Sequence, residues 1–347
     1  MIAIEHANIL VTEKETLKMY VVGYGYQGES IIITIGDRKF AGVIDCYRTS
    51  DQFITKKILD KLNIKKLDFI CWTHIDWDHT KGLSQLSKYV KKDTAFILPE
   101  GLSTREIQDI IKKGSVSGVY DKEFNQIFKM IKKVDYKHRL TVNQLSSIYE
   151  FDIVFKGDKK RYRFKMDSFA PIAGIVHDCL EETVEEFYES ITLPKKSKGK
   201  WYTKPNRNNN LFSVGLRLIL EGSTERINIC LCGDLDDKTI IEMDEAQRNI
   251  VFNYNTLLKI PHHCSEKTDS LFSLGCIHEF GYGVTTKFRN VLPNMDMLKK
   301  YNNKCKESIS RTDLKKGKYG VVIYKIPLKN LSPVSPKYIN TAGKYIE

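Results

Sequence analysis

Hydrophobic and polar positions along this chain switch repeatedly between a period of two and a period near 3.6, the pattern of mixed α/β structure. Three strand-like apolar runs broken by glycine come first: Met19 to Gly23, Ser30 to Ile35 and Phe40 to Ile44. Ser50 to Leu62 has helical spacing of Phe53, Ile54, Ile58, Leu59 and Leu62, and ends at Asn63. Leu67 to Trp72 (LDFICW) is a short continuous apolar run that predicts a buried strand. A helix over Lys81 to Val90 and a strand at Phe96 to Leu98 follow, then amphipathic helices over Ser103 to Lys113 and Asp121 to Lys133. Tyr149 to Phe155 and Arg161 to Ala170 read as strands, and Glu182 to Ser190 as an acidic helix. Beyond a Lys/Asn-rich loop at 194–210, strands are predicted at Leu211 to Glu221, Arg226 to Leu231, Leu257 to Ile260 and Tyr319 to Ile326. Helices are predicted there at Lys238 to Ile250, Asp269 to Leu274 and Met295 to Tyr301.

Neither heptads nor a short repeat interrupts this order. Both halves run strand-rich and then strand–helix, which suggests two sheets packed together with helices outside. The expected organisation is a single domain of two related halves, about 1–193 and 211–347, joined by the basic loop 194–210. At 347 residues, with 18 Tyr and 16 Phe, the chain can bury a sizeable core. No apolar run approaches the roughly 18 residues needed to span a bilayer, and the start, MIAIEHANILVTEKE, has no basic region ahead of an apolar one. The eight cysteines (46, 71, 179, 230, 232, 264, 276 and 305) are scattered without a CxxC pair. That is the usage of reduced, buried thiols, so the expectation is a soluble cytoplasmic protein.

A formal charge of +12 favours polyanionic partners: nucleic acid, nucleotides or an anionic surface. Lys156 to Lys165 carries six basic residues and one acid. Lys195 to Arg207 carries six basic residues, no acid, and the aromatic pair Trp201-Tyr202. Basic groups interleaved with aromatics suit a phosphate backbone with stacked bases. The second stretch is the better candidate because its Pro, Gly, Ser and Asn content makes it a loop. Its candidate substrate-binding residues are Lys195, Lys196, Lys198, Lys200, Trp201 and Tyr202.

The stretch with the most chemistry follows the apolar run at 67–72. His74, Asp76, Asp78 and His79 spell H-x-D-x-D-H, two imidazoles and two carboxylates in six positions. Carboxylates crowded at the tip of a core strand repel each other and lose hydration, and a bound dication removes both costs. Two more strand tips add donors. Arg226 to Leu231 leads into Cys232-Gly233-Asp234, and Leu257 to Ile260 leads through Pro261 into His262 and His263. His74, Asp76, Asp78, His79, Asp234 and one of the His262-His263 pair together offer six nitrogen or oxygen ligands, enough for two divalent ions sharing a carboxylate. The lack of a ligand Cys favours Zn, Mn or Fe chemistry.

This set resembles the metallo-β-lactamase fold, and most of all its ComEC-type branch, the hydrolase domain of DNA-uptake proteins. The family's H-x-D-x-D-H-x-x-G corresponds to His74 through Gly82. An early Gly-Asp/Glu-Ser turn matches Gln27-Gly28-Glu29-Ser30, and the first-motif Asp matches Asp45. The Asn-rich segment before the Gly-Asp motif matches Asn209 to Val214, the Gly-Asp motif is Gly233-Asp234, and PHHGS is Pro261 to Ser265. Arg311-Thr312-Asp313 followed by Gly317 resembles the closing R-T-D-x-x-G. The likeness runs from about residue 18 to 326. The departures are Cys46-Tyr47 after Asp45, Cys264 in place of the Gly of HHGS, and Leu292-Pro293 where the family has His-Pro. Of residues 80–230, His177 is the candidate for a third-motif histidine, against a plain surface or core role.

The resemblance implies an α/β protein with an αββα four-layer sandwich of two mixed β-sheets flanked by helices. It implies one or two divalent ions, Zn or Mn. Asp78, His79 and one of His262 and His263 would hold one ion, and His74 and Asp76 the other. Asp234 would bridge, Asp45 would orient a ligand histidine from behind, and the second histidine of the pair would act as general acid. The implied activity is that of a metal-dependent hydrolase, a phosphodiesterase or nuclease using a hydroxide activated between two metals. Two alternatives stay open: a hydrolase of a small ester, lactone or thioester, and a non-catalytic or partner-regulated subunit of a multi-protein, defence-type system.

Overall fold

The computed structural model describes residues 3–102, 118–158, 160–179, 181 and 208–346. Its centre is two mixed β-sheets packed face to face. The eight-stranded sheet has the order Val334–Asn340, Tyr319–Pro327, Thr16–Tyr24, Glu29–Ile35, Phe40–Ile44, Phe69–Cys71, Ala95–Pro99 and Arg139–Val142. The ten-stranded sheet runs from Ile4–Glu5 through Ser147–Phe155, Arg161–Ala170, Gly215–Glu221, Arg226–Leu231, Asn255–Lys259, Phe280–Thr285 and Cys305–Arg311 to Gly343–Lys344. Ile9–Val11 pairs with Ser147–Phe155 off that path. Each sheet takes strands from both sides of the 194–210 segment.

Strand alternation decides which face each side chain joins. Met19, Val21, Ile31 and Ile33 point to the layer between the sheets, where they meet Phe164, Leu218 and Ile229 of the facing sheet. Their neighbours Tyr20, Val22 and Ile32 point outward, against Ile54 and Leu59 of the helix Ile54–Lys61 and Phe124 and Ile127 of the helix Gly118–Ile131. A third apolar layer lies outside the ten-stranded sheet. There Cys230, Leu258 and Ile260 pack with Ile240, Phe252, Leu271 and Leu298 of the short helices Asp237–Glu242, Glu245–Phe252, Ser270–Ser273 and Met295–Asn302. Helices, sheet, sheet and helices thus make the αββα sandwich that the resemblance implies. Burial on both faces explains why Leu67 to Trp72 shows no alternation. Among the described residues, no helix is long and apolar enough to cross a membrane.

Local differences from the sequence reading have local causes. The helix expected over Lys81 to Val90 is a 3₁₀ segment, Leu83–Lys88, set off from a helical turn at Trp77–Thr80 by Gly82 at φ +136°. The strand expected from Leu211 begins at Gly215, because Asn209–Phe212 forms a 3₁₀ turn capped by the Asn208 side chain. The helix expected over Lys238 to Ile250 divides where Asp244 caps a new one, Glu245–Phe252. Phe280–Thr285 and Cys305–Arg311 were unmarked in the sequence: the first has two glycines, the second is mostly polar. The helices expected at Ser103 to Lys113 and Glu182 to Ser190 lie outside the described residues.

Candidate metal centre

Adjacent parallel strands of both sheets end at the same place. In the eight-stranded sheet Phe69–Cys71 lies between and parallel to Phe40–Ile44 and Ala95–Pro99, and its C-terminal end delivers Thr73 to His79. In the ten-stranded sheet Arg226–Leu231 and Asn255–Lys259 run parallel and deliver Asp234 and His263. The sheets are joined beside the site by a hydrogen bond from Val214 N to Thr73 O, 3.1 Å.

Tight turns aim these side chains. Gly233 has φ +54°, and a Cβ there would lie 2.9 Å from Ser213 Oγ and 3.1 Å from Val214 O. Ser213 Oγ accepts the Asp234 N–H at 2.9 Å, which fixes the next residue. His262, His263 and Cys264 are all left-handed, with φ of 47°, 51° and 65°. Such a run is unfavourable for L-residues. It is held by His262 N to Gly233 O and Asn294 N to Cys264 O, each 3.0 Å. The Cys264 side chain, sitting where the resembled family has Gly, turns toward Asn294 O at 3.8 Å, and burial pushes its thiol up to about 12.

The result is a buried cluster of donors with nothing ordinary to bind. His263 Nε2 is 3.3 Å from Asp78 Oδ2 and 3.4 Å from Asp234 Oδ2. His79 Nε2 is 3.5 Å from both Asp78 Oδ2 and Asp234 Oδ1. His74 Nε2 is 3.7 Å from Asp76 Oδ2 and 3.9 Å from Asp234 Oδ2. These separations exceed ordinary hydrogen bonds. The three Nε2 atoms, Asp78 Oδ2 and Asp234 Oδ1 are buried with no hydrogen-bond partner among the described residues. Atoms about 2.0–2.1 Å from one tetrahedral cation lie about 3.3–3.4 Å from each other. The spacing of Asp78, His79 and His263 is therefore that of a divalent cation's ligand shell, and the donor set fits one.

Behind the cluster the Nδ1 atoms of His74, His79 and His263 all have hydrogen-bond partners. Asp45 accepts from Thr73 N at 2.8 Å and from Thr73 Oγ1 at 2.6 Å, and lies 2.7 Å from His79 Nδ1. Thr73 Oγ1 is in turn 2.9 Å from His74 Nδ1. Asp45 also groups with His74 and His79 within ligating distance. Its oxygens are already taken by hydrogen bonds on the Nδ1 side, so it backs the histidines and the open face belongs to Nε2.

Charge in the cation-free cluster is distributed accordingly. Burial alone would push His79 and His263 down. Asp234, with Asp78 and other carboxylates, instead raises His79 well above its ordinary value and His263 to about 9. Burial would raise Asp78 and Asp234, but His79 and His263 hold both carboxyls below the usual range.

Other candidate residues fall elsewhere. His262 is half-buried outside the cluster, its Nε2 3.3 Å from Asn210 Nδ2, and burial lowers its pKa. Asp76 lies at the rim, accepting from Asn209 Nδ2 at 2.6 Å. His177 is exposed and pairs with Glu181 at 3.7 Å, away from the cluster's contacts. The basic run Lys156 to Lys165 includes the strand Arg161–Ala170, where Arg163 pairs with Glu150 and Asp152, and Lys165 with Glu150. Lys160 pairs with Glu225. Three of the run's basic residues, Lys160, Arg163 and Lys165, are thus engaged by carboxylates of the fold itself. Lys195, Lys196, Lys198, Lys200, Trp201 and Tyr202 lie outside the described residues. Thr73, Ser213, Asn209 and Asn210 went without a role in the sequence reading. Their signal was position alone, beside a ligand or before the Gly-Asp turn, and hydroxyl and amide residues are common in such turns.

A scan of the chain against protein-family models finds no match, and neither does a comparison with curated proteins. Among solved structures the chain is similar to one from Thermotoga maritima, named provisionally as a metallo-beta-lactamase. The identity is 12%, the TM-score 0.31, and the overlap covers 62% of this chain and 79% of that one. At that score the likeness fixes no residue correspondence, and the architecture is read from this chain's own strand order. The αββα sandwich and its buried His/Asp cluster are compatible with a metal-dependent hydrolase.

Proposed function

We propose that the protein is a metal-dependent phosphodiesterase acting on nucleic acid or nucleotides. The observation that supports a metallohydrolase is the convergence of orphaned imidazole and carboxylate atoms at 3.3–3.5 Å, buried beyond the ends of three strands from the two sheets. Asp78, His79 and His263 would hold one divalent cation, and His74 and Asp76 a second, with Asp234 between them. When bound, Zn or Mn would supply Lewis-acid charge to the scissile group and lower the pKa of water. Asp45 orients His79 directly and His74 through Thr73. His262, outside the cluster, is the group proposed to pass a proton to the leaving alkoxide.

A phosphodiester is preferred over a neutral ester for two reasons: the net charge of +12, and a motif set that resembles the ComEC-type branch. The proposed contacts to the polyanion are Lys195, Lys196, Lys198, Lys200, Trp201 and Tyr202. The test is metal analysis and hydrolysis measured on one purified sample, with single- and double-stranded DNA, RNA and a generic phosphodiester as substrates. Metal-dependent cleavage that disappears in Asp78→Ala and Asp234→Ala is the expected result. A sample with a full complement of metal and no cleavage of any of these substrates would overturn the phosphodiesterase reading.

A further inference from the structure

Behind His263, on the side away from Asp78 and Asp234, lies a second group of buried polar side chains. Lys259 has 0% exposure and Glu29 2%. Lys259 Nζ is 3.0 Å from Glu29 Oε2. Lys259 closes the strand Asn255–Lys259 of the ten-stranded sheet, and Glu29 opens Glu29–Ile35 of the other, so the pair joins the two sheets. A buried ion pair is seldom more stabilising than apolar side chains of the same volume, because desolvation offsets the attraction. What the pair touches is therefore more informative than the pair itself.

Glu29 Oε2 accepts a hydrogen bond from Thr286 Oγ1, and Thr286 Oγ1 lies 2.8 Å from His263 Nδ1. A hydroxyl has one proton, and an ionised carboxylate can only accept. With Lys259 against it, Glu29 accepts the hydrogen bond of the Thr286 O–H, so the hydroxyl oxygen accepts from His263 Nδ1–H. That assigns the lone pair of the neutral ring to Nε2, the atom facing Asp78 and Asp234. The eight-stranded sheet holds the same arrangement for another imidazole: Asp45, Thr73 and His74, joined at 2.6 Å and 2.9 Å. Two carboxylate–threonine–imidazole chains thus reach one cluster, one built within the eight-stranded sheet and the other running from Glu29 of that sheet to Thr286 and His263 beside the ten-stranded one.

We propose that Glu29 is a positioning residue for His263: acting through Thr286, with Lys259 as its buried counter-charge, it fixes the ring and leaves Nε2 free to ligate a divalent cation. This rests on the metal-centre reading above. Partners that orient a ligand histidine typically change metal affinity by about 10–100-fold when lost.

The experiment measures Zn²⁺ affinity by chelator competition, and thermal unfolding of the cation-free protein, for wild type, Thr286→Val, Thr286→Ser and the double variant Glu29→Leu/Lys259→Met. The double variant leaves no lone buried charge, so a merely structural pair would be lost with Zn²⁺ affinity intact. The expected result is about a 10–100-fold loss of affinity in both Thr286→Val and the double variant. Thr286→Ser, which keeps the hydroxyl, should bind as wild type does. If the double variant does not fold, Thr286→Val alone decides. Wild-type affinity in Thr286→Val, or in a folded double variant, overturns the positioning role and leaves the metal centre standing. A wild type that takes up no Zn²⁺ overturns the metal centre itself, and the proposal with it.

Discussion

His79 is held from behind by Asp45, whose Oδ2 lies 2.7 Å from Nδ1, while Nε2 on the opposite edge of the ring has no hydrogen-bond partner among the described residues. One nitrogen is anchored and the other is left open within a cluster of carboxylates. Asn at position 45 keeps the shape and removes the negative charge that anchors His79 and, through Thr73, His74. Asp45→Asn is expected to weaken divalent-cation binding by about 10–100-fold, read by competition with a chromophoric chelator. Unchanged affinity would show that Asp45 only closes a turn.

The cation-free cluster stores protons, so metal uptake should release them. Carboxylates hold His79 and His263 protonated at neutral pH, with His263 at about 9. Cation affinity should therefore rise with pH from neutrality through about 9, as His263 gives up its proton. Calorimetry of Zn²⁺ binding at pH 7 in two buffers of different ionisation enthalpy reads the proton count directly, and equal heats in both buffers would contradict this.

The same shifts set the stability of the chelated protein. A histidine raised in the folded state contributes stability that is complete below its unfolded value, about 6.5, and lost as pH climbs through the folded one. A carboxyl depressed in the folded state contributes above its unfolded value, about 3.9, and loses that contribution as pH falls through its folded value. With His263 and His79 raised, and Asp234 and Asp78 lowered, the cation-free protein should be most stable between about pH 4 and 6.5. It should weaken toward pH 9, and added cation should reverse the alkaline loss. Urea unfolding in the presence of a chelator, at pH 5.5 and at pH 9, is the measurement.

Gly233 is required by its backbone. At φ +54°, with Ser213 Oγ 2.9 Å from where a Cβ would stand, Gly233→Ala should cost about 1–2 kcal/mol. Because the turn aims Asp234, cation affinity should fall as well. A lowered unfolding midpoint with full affinity would separate the turn from the site.

Replacing Lys195, Lys196, Lys198 and Lys200 together with Ala tests the basic segment. If all four neutralise phosphates of duplex DNA, the slope of log affinity against log salt should fall by about 3.6, at about 0.9 per contact. Metal content should stay unchanged. An identical slope would remove the segment from the interface.

Much of the centre was legible from residue order alone. His74, Asp76, Asp78 and His79 lie within six positions after an apolar run, and short-range covalent geometry makes such a run of donors a local fact. Asp234 and the His262-His263 pair could likewise be recognised at strand ends. Tertiary structure decided what long-range packing decides. It separated His263, inside the cluster, from His262, turned to Asn210, through three left-handed residues whose conformation no pattern of apolar positions encodes. It also paired Lys160, Arg163 and Lys165 of the Lys156 to Lys165 run with Glu150, Asp152 and Glu225, which belong to a neighbouring strand and a turn. And it brought Glu29 to Lys259 and Thr286, more than 200 residues further along the chain, behind one imidazole, a juxtaposition that exists only once two sheets have closed on each other.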